Sequence, residues 1–329
     1  MKQDAFIARY EPEWRELEEW LSMRGAANAG ARKPPGQAPI DDLDFASRYR
    51  RVSQHLALAH ARGYSPRVLD RLEALAQRGH DVLYRPPAPR WQRLLSFFAA
   101  DYPRLVRRHA AYMWISAALH FLPAIAMFVL VQYRPELVHS VFDAGQVREF
   151  ERMYDPASPS HHLGRESGTN LQMFGFYIWN NIRIGFQIFA SGLIAGVGPI
   201  FVLVFNGIVL GTVAGHLTAI GYGDPFWRFV CGHSGFELSA FVIAGGAGLR
   251  VGWSLLAPGR LSRLRALIEA GQDGAYLVFG VFLLLVLAAF VEAYWSSIGW
   301  MPSPVKYSVG AAVWIGVWYW IWRGGRDAA

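Results

Sequence analysis

Residues 110–132 read AAYMWISAALHFLPAIAMFVLVQ and contain no Asp, Glu, Lys or Arg. A helix needs about 20 mostly apolar residues to cross the hydrocarbon core of a bilayer. Only helices and closed barrels satisfy their backbone there. The run is continuous rather than alternating, which reads as helix and not barrel strand. It is therefore predicted as a first membrane crossing. Comparable runs follow at about 172–196, 199–218, 227–255, 275–295 and 307–322. Gly196, Gly198 and Pro199 mark the break between the second and third. The expected fold is all-α, a polytopic integral membrane protein with about six transmembrane helices over 110–325. The second run carries Asn180, Asn181 and Arg183, so it reads either as a crossing or as a re-entrant or lateral helix.

Charge orients the expected bundle. The chain of 329 residues carries a net +7, almost all of it arginine, with lysine only at 2, 33 and 306. Arg104, Arg107 and Arg108 precede the first run, Arg260, Arg263 and Arg265 separate the fourth from the fifth, and Arg323 and Arg326 follow the sixth. With six crossings these clusters share one side, and by the positive-inside rule that side is cytoplasmic, with both termini. The segment 134–170 holds four Arg and six acidic residues and reads as a polar outer loop. Trp300, Trp318, Trp320 and Trp322 fall where interfacial aromatic belts are expected. Loops of this kind account for the basic balance, so no nucleic-acid partner is expected. The one cysteine, Cys231, excludes an intrachain disulfide and a cysteine-based zinc cluster within one chain. The start, KQDAFIARYEPEWRELEEW, has no apolar core of a cleavable signal, so the first crossing is expected to direct insertion.

Residues 1–88 are expected to form a small helical cytoplasmic domain. Phe6, Tyr10, Trp14, Leu17 and Leu21 recur at helical spacing over 4–23. The Gly, Ala and Pro-rich stretch 24–40 reads as a loop. A second helix is expected from Asp41 or Asp42 to about Arg62, and a third from Ser65 and Pro66, an N-cap followed by proline at the first helical position. These helices form either a bundle or a set lying on the membrane surface. RPPAP at 85–89 breaks the chain, and 89–109 reads as an interfacial amphipathic helix, with Trp91, Leu94, Leu95, Phe97 and Phe98 on its apolar face, followed by a basic linker.

Polar side chains at membrane depth are costly and mark candidate sites. They are Asn180, Asn181 and Arg183 in the second run, Asn206 and His216 in the third, His233, Glu237 and Arg250 in the fourth, and Glu292 in the fifth. Four helices could thus feed one polar cluster open toward the outside. In one reading Arg183 pairs with Glu237 or Glu292 and fixes packing. In the other the cluster is a site for a ligand, lipid or proton. His161 and His162 in the outer loop have no carboxylate or cysteine at recognisable spacing, so no metal ligands are assigned. Nor is any catalytic residue or cofactor. The segment GHSGFE at 232–237 comes near a serine nucleophile elbow, but its spacing does not match and no strand precedes it.

Small residues form a second pattern. Gly207, Gly211 and Gly215 recur every fourth position, Gly192 and Gly196 repeat that spacing, and Gly245, Gly246 and Gly248 crowd the fourth run. Such faces allow close helix contact, either within one chain or across a homodimer.

The pattern Asn180-Asn181-x-Arg183 followed by FASGLIAGVGPIFVLVFNGIVLG (189–211), His233-x-x-x-Glu237 with AGGAGLRVGWSLLAPGR (244–260), and Tyr102-Pro103-x-x-Val106-Arg107 resembles the stage II sporulation protein M family. The resemblance spans roughly 90–300 and is most specific over 174–260. It implies a protein of the bacterial cytoplasmic membrane that recruits or localises peptidoglycan-remodelling proteins, with MoxR-type ATPases as further associates. It implies no catalytic residues. The leading expectation is a scaffold or regulator of envelope remodelling. The alternatives are a transporter or lipid translocator working through the polar cluster, and a membrane-embedded hydrolase around His233 and Ser234.

Overall fold

The computed structural model describes residues 2–28, 44–83, 90–157 and 169–326. Of the loop read over 24–40, residues 24–28 instead continue the first helix, whose run of helix-forming residues carries on past Met23, and 29–40 lie outside the described residues, as do the RPPAP break and the His161-His162 pair. The chain divides into two compact units, Met1–Pro89 and Arg90–Ala329.

In the first unit, helices α1 (Gln3–Asn28), α2 (Phe45–Ala61) and α3 (Pro66–Leu83) pack on one another. Their apolar stripes supply Phe6, Trp14, Leu17, Val52, Leu72 and Leu75, all nearly sealed from solvent. Trp14 Nε1 donates to His55 Nδ1 at 3.1 Å, which requires that nitrogen to be unprotonated. On the rim, Arg71 bridges two carboxylates of α1, at 2.7 Å from Glu11 and 2.9 Å from Glu18.

The second unit is a helical bundle. In chain order it begins with α4 (Arg90–Ser96), a π-turn at Phe97–Asp101, α5 (Tyr102–Arg108), α6 (Ala110–Tyr133), a 3-10 turn at Pro135–Ser140 and α7 (Ala144–Tyr154). Then come α8 (Asn170–Ala190), α9 (Val197–Ala219), α10 (Gly223–Leu256), α11 (Arg263–Val291) continuing into a π-turn at Glu292–Ser296, and α12 (Ser303–Arg323). Four of these, α6, α9, α10 and α11 with its π-turn, are long and apolar enough to cross a membrane. Helices α8 and α12, at 21 residues each, fall outside that set. Amides and Arg183 dilute α8, while Lys306, Arg323 and tryptophans dilute α12.

Helix α10 is the hub, packed against α6, α8, α9, α11 and α12. The glycines explain how so many helices fit. A Cβ on Gly207 or Gly211 would collide with the carbonyl of His120 or Ala124 on α6, and Gly215 lies against Phe128. Gly192 and Gly196 meet Gly248 and Gly252, while Gly245 and Gly246 receive Ser116 and Met113. These small faces are therefore used inside the chain.

Four sequence expectations for this unit need correction. The stretch PGRLSRLRALIEAGQDG (258–274), which reads as the loop between the fourth and fifth runs, is not all loop, because α11 begins at Arg263 with Ser262 Oγ accepting from the Arg265 amide at 3.3 Å. Gly274 does not break it, since the missing side chain admits the Phe189 ring and that packing outweighs propensity. The segment 134–170 is not a plain loop. It contains α7, started by a capping box between Asp143 and Gln146. The second crossing was expected to reach 196 but α8 ends at Ala190. A 3-10 turn and left-handed residues Ala195 and Gly196 reverse the chain before α9. Finally, the basic stretch before α6 is no linker. Tyr102 is fully buried and donates to the Leu277 carbonyl, and Arg104 and Arg107 donate to carbonyls of Gly325 and Gly324. The guanidinium groups satisfy carbonyls left open at the end of α12, where the helix dipole also favours cations.

Candidate functional site: a histidine and two glutamates inside the bundle

The polar centre is built from α10, α11 and α8. His233 and Glu237 stand one turn apart on α10, with His233 Nε2 at 3.7 Å from Glu237 Oε2. Glu292 arrives from the end of α11. The ligand-type atoms of His233, Glu237 and Glu292 all lie within 4.8 Å of one another. The π-turn delivers Glu292 and Ser296 together, and wider turns of this kind recur at functional sites.

The surroundings hold this trio in place. Ser296 Oγ is 3.0 Å from His233 Nδ1, and Phe229 meets the imidazole edge-on. Asn181 Nδ2 donates to Glu292 Oε2 at 3.4 Å and is itself aligned by Asn180, whose Nδ2 donates to Asn181 Oδ1 at 3.2 Å. Lys306 is fully buried, lies over the Trp295 ring, and donates to the Ser296 carbonyl rather than to a carboxylate. Among the described residues, no Arg or Lys pairs with Glu237 or Glu292.

Other sequence candidates lie elsewhere. Arg183 does not pair with either glutamate; it is exposed and stacks over Trp179 at 5.0 Å. The reason is angular: two residues separate it from Asn181, which is about 200° around a helix. Asn206 donates to the Val202 carbonyl of its own helix. His216 pairs with Glu151 of α7 at 2.7 Å, fastening that helix to the end of α9. Arg250 lies about 25 Å along α10 from His233, by helical rise.

Ser234, the other half of the hydrolase reading, bonds the Cys231 carbonyl and accepts from Trp314, so it does not face His233. Ser296 does meet His233 and is fully buried. Sequence reasoning missed Ser296, Lys306 and Glu151. Of these only Lys306 carried a signal, as the one lysine beyond residue 33 and at the start of an apolar run.

The description of stage II sporulation protein M matches residues 116–297, which contain the whole trio and the glycine-lined contacts around it. The chain belongs to the stage II sporulation protein M family. Residues 4–85, the three-helix unit, match a domain of unknown function (DUF8413). No curated protein and no solved structure matches the chain. The family match begins within α6, so it leaves out Tyr102-Pro103, although Tyr102 is built into the bundle core.

Proposed function

We propose that this family member is a cytoplasmic-membrane protein of the bacterial envelope that handles a cation through the His233, Glu237 and Glu292 cluster. The observation that carries this reading is a pair of carboxylates converging on one imidazole inside the bundle with no guanidinium or ammonium bonded to either. A buried carboxylate without a partner is costly, and ionisable groups at membrane depth mark ion or proton paths. Six crossings complete the picture. Helices α8 and α12 are each about 31 Å long, enough for the hydrocarbon core. Their exposed apolar residues, such as Phe186 and Ile315, continue the lipid-facing perimeter. With six crossings, the arginine clusters support a topology with both termini in the cytoplasm and the trio toward the outer side.

The test is complementation of a deletion strain, scored as osmotic and detergent sensitivity. Glu237→Gln and Glu292→Gln are expected to reach normal membrane levels and fail to complement. Full complementation by both would remove the reading.

A second reading, a scaffold for peptidoglycan-remodelling proteins and cytosolic ATPase partners, is favoured by helical parts outside the crossings. These are the three-helix unit and α7, which is pinned through His216 and Glu151. Crosslinking in intact membranes is expected to capture envelope proteins through α7, and a blank result would sink it.

A further inference from the structure

We infer that His233, Glu237 and Glu292 form a binding site for one divalent transition-metal ion of the zinc class. This deepens the cation-handling reading and rests on it for biological use, but the binding claim stands on geometry alone.

The donor set is one imidazole nitrogen and two carboxylates. Imidazole with carboxylate suits zinc and its first-row neighbours, and three protein ligands leave a position open for water or a further ligand. A tetrahedral ion with bonds of about 2.0–2.2 Å needs donor atoms roughly 3.4 Å apart. His233 Nε2 and Glu237 Oε2 stand at 3.7 Å, and no donor pair in the trio exceeds 4.8 Å. Rotamer adjustments of about 1 Å would close the set, well within carboxylate freedom.

Three further features point to an ion rather than to incidental proximity. First, His233 is 5% exposed, its Nδ1 is occupied by Ser296, and its Nε2 makes no hydrogen bond while facing the carboxylates. Metal-bound histidines are held in this way, with the non-ligating nitrogen engaged by a neighbour. Second, Asn181 holds Glu292 by an oxygen, and Asn180 holds Asn181, so the carboxylate is oriented as a ligand would be. Third, the two carboxylates would carry two negative charges once deprotonated, which one divalent ion would neutralise. Lys306 spends its hydrogen bond on the Ser296 carbonyl. Arg228, the next cation on α10, donates to the carbonyls of Gly299 and Met301 and pairs with Asp224 at 3.4 Å, away from the trio.

The experiment uses the full chain purified in detergent with a tag free of histidine. It is loaded separately with ZnCl2, MnCl2 or ferrous salt, freed of loose metal, and measured by mass spectrometry of the elements. Wild type is expected to retain about one zinc per chain, as a three-ligand site implies, and to melt at a higher temperature with zinc than without. Glu292→Gln and His233→Gln are expected to lose both effects. Ser296→Ala keeps all three ligands and is expected to weaken zinc binding about 10- to 100-fold. Wild type that retains none of the three metals overturns the site, whatever the variants do. Retention by folded His233→Gln and Glu292→Gln protein overturns its location.

The two claims separate cleanly. No metal in wild type, with glutamate variants that still fail to complement, removes the metal and leaves a proton as the cation. Metal in wild type, with variants that complement, leaves a metal of purely structural use.

Discussion

Arg71 in the N-terminal unit and His233 in the bundle each face two glutamates, and the two regions treat that charge in opposite ways. At the rim of the three-helix unit a permanent guanidinium binds Glu11 and Glu18 by its fork, and it holds the Glu11 carboxyl below its ordinary range. All three charged groups of that contact are paired. In the bundle the two carboxylates meet an imidazole, whose charge is optional, while the nearby Lys306 bonds to a carbonyl and Arg228 to carbonyls and Asp224. One region uses opposite charge to hold helices together. The other keeps two carboxylates with no fixed cation bonded to them, among helices that are held together by shape. Stability and chemistry are thereby separated along the chain.

That contrast can be broken most severely through the N-terminal core. Trp14→Ala removes a sealed indole and its bond to His55, with an expected cost of about 3–5 kcal/mol. Hydrogen exchange on the intact protein should show residues 45–83 losing protection while 197–291 keep theirs. Loosening of both would mean that the units do not stand separately.

The claim that shape holds the bundle is tested next. Gly211→Val drives a side chain into the Ala124 carbonyl, forcing α6 and α9 apart, at an expected cost of about 1–3 kcal/mol. The readout is a lower melting temperature in detergent with the N-terminal unit still protected. An unchanged melting temperature would contradict the close contact.

A smaller effect is set by pH. Burial depresses the His55 pKa below the ordinary value near 6.5, so the folded unit prefers the neutral ring. Its stabilisation is complete above that value and is lost as pH falls through it toward the folded pKa. Protection of residues 45–61 should therefore decline below about pH 6.5, and His55→Gln should flatten the decline. Glu11 adds its own loss only at lower pH, below its ordinary value of 4.5. A profile flat in wild type would dismiss the buried histidine as its source.

The smallest expected effect is Arg183→Ala, within about 0.5 kcal/mol in melting measurements. A large loss would mean that Arg183 reaches the cluster after all and that the bundle follows the pairing rule of the N-terminal unit.

The all-helical architecture was legible because its signals are local. Apolar runs, the Ser65-Pro66 start and the Gly196-Gly198-Pro199 break depend on neighbours in sequence. The polar cluster was legible in its members but not in its pairing. Hydropathy flags Arg183, His233, Glu237 and Glu292 alike, yet which ones meet depends on the rotation of each helix about its axis. A third of a turn separates a side chain in the core from one in lipid. Ser296 could not have been found at all, since a serine near a helix end is ordinary and only the π-turn aims it at His233. Start points such as Arg263 were hidden by Gln-Asp-Gly, residues that read as loop until Phe189 is seen packed on Gly274.

Helix α10 has 34 residues, so it is about 51 Å long against a hydrocarbon thickness of about 30 Å. Elsewhere such an excess would be resolved by tilting or by bending the bilayer. Here most of α10 is buried by the helices packed around it. The thickness of the membrane is matched by the surrounding helices, not by this one. The rod that carries His233 and Glu237 is therefore sheltered from lipid composition, and a thicker or thinner bilayer would press on the perimeter before it moved those two residues.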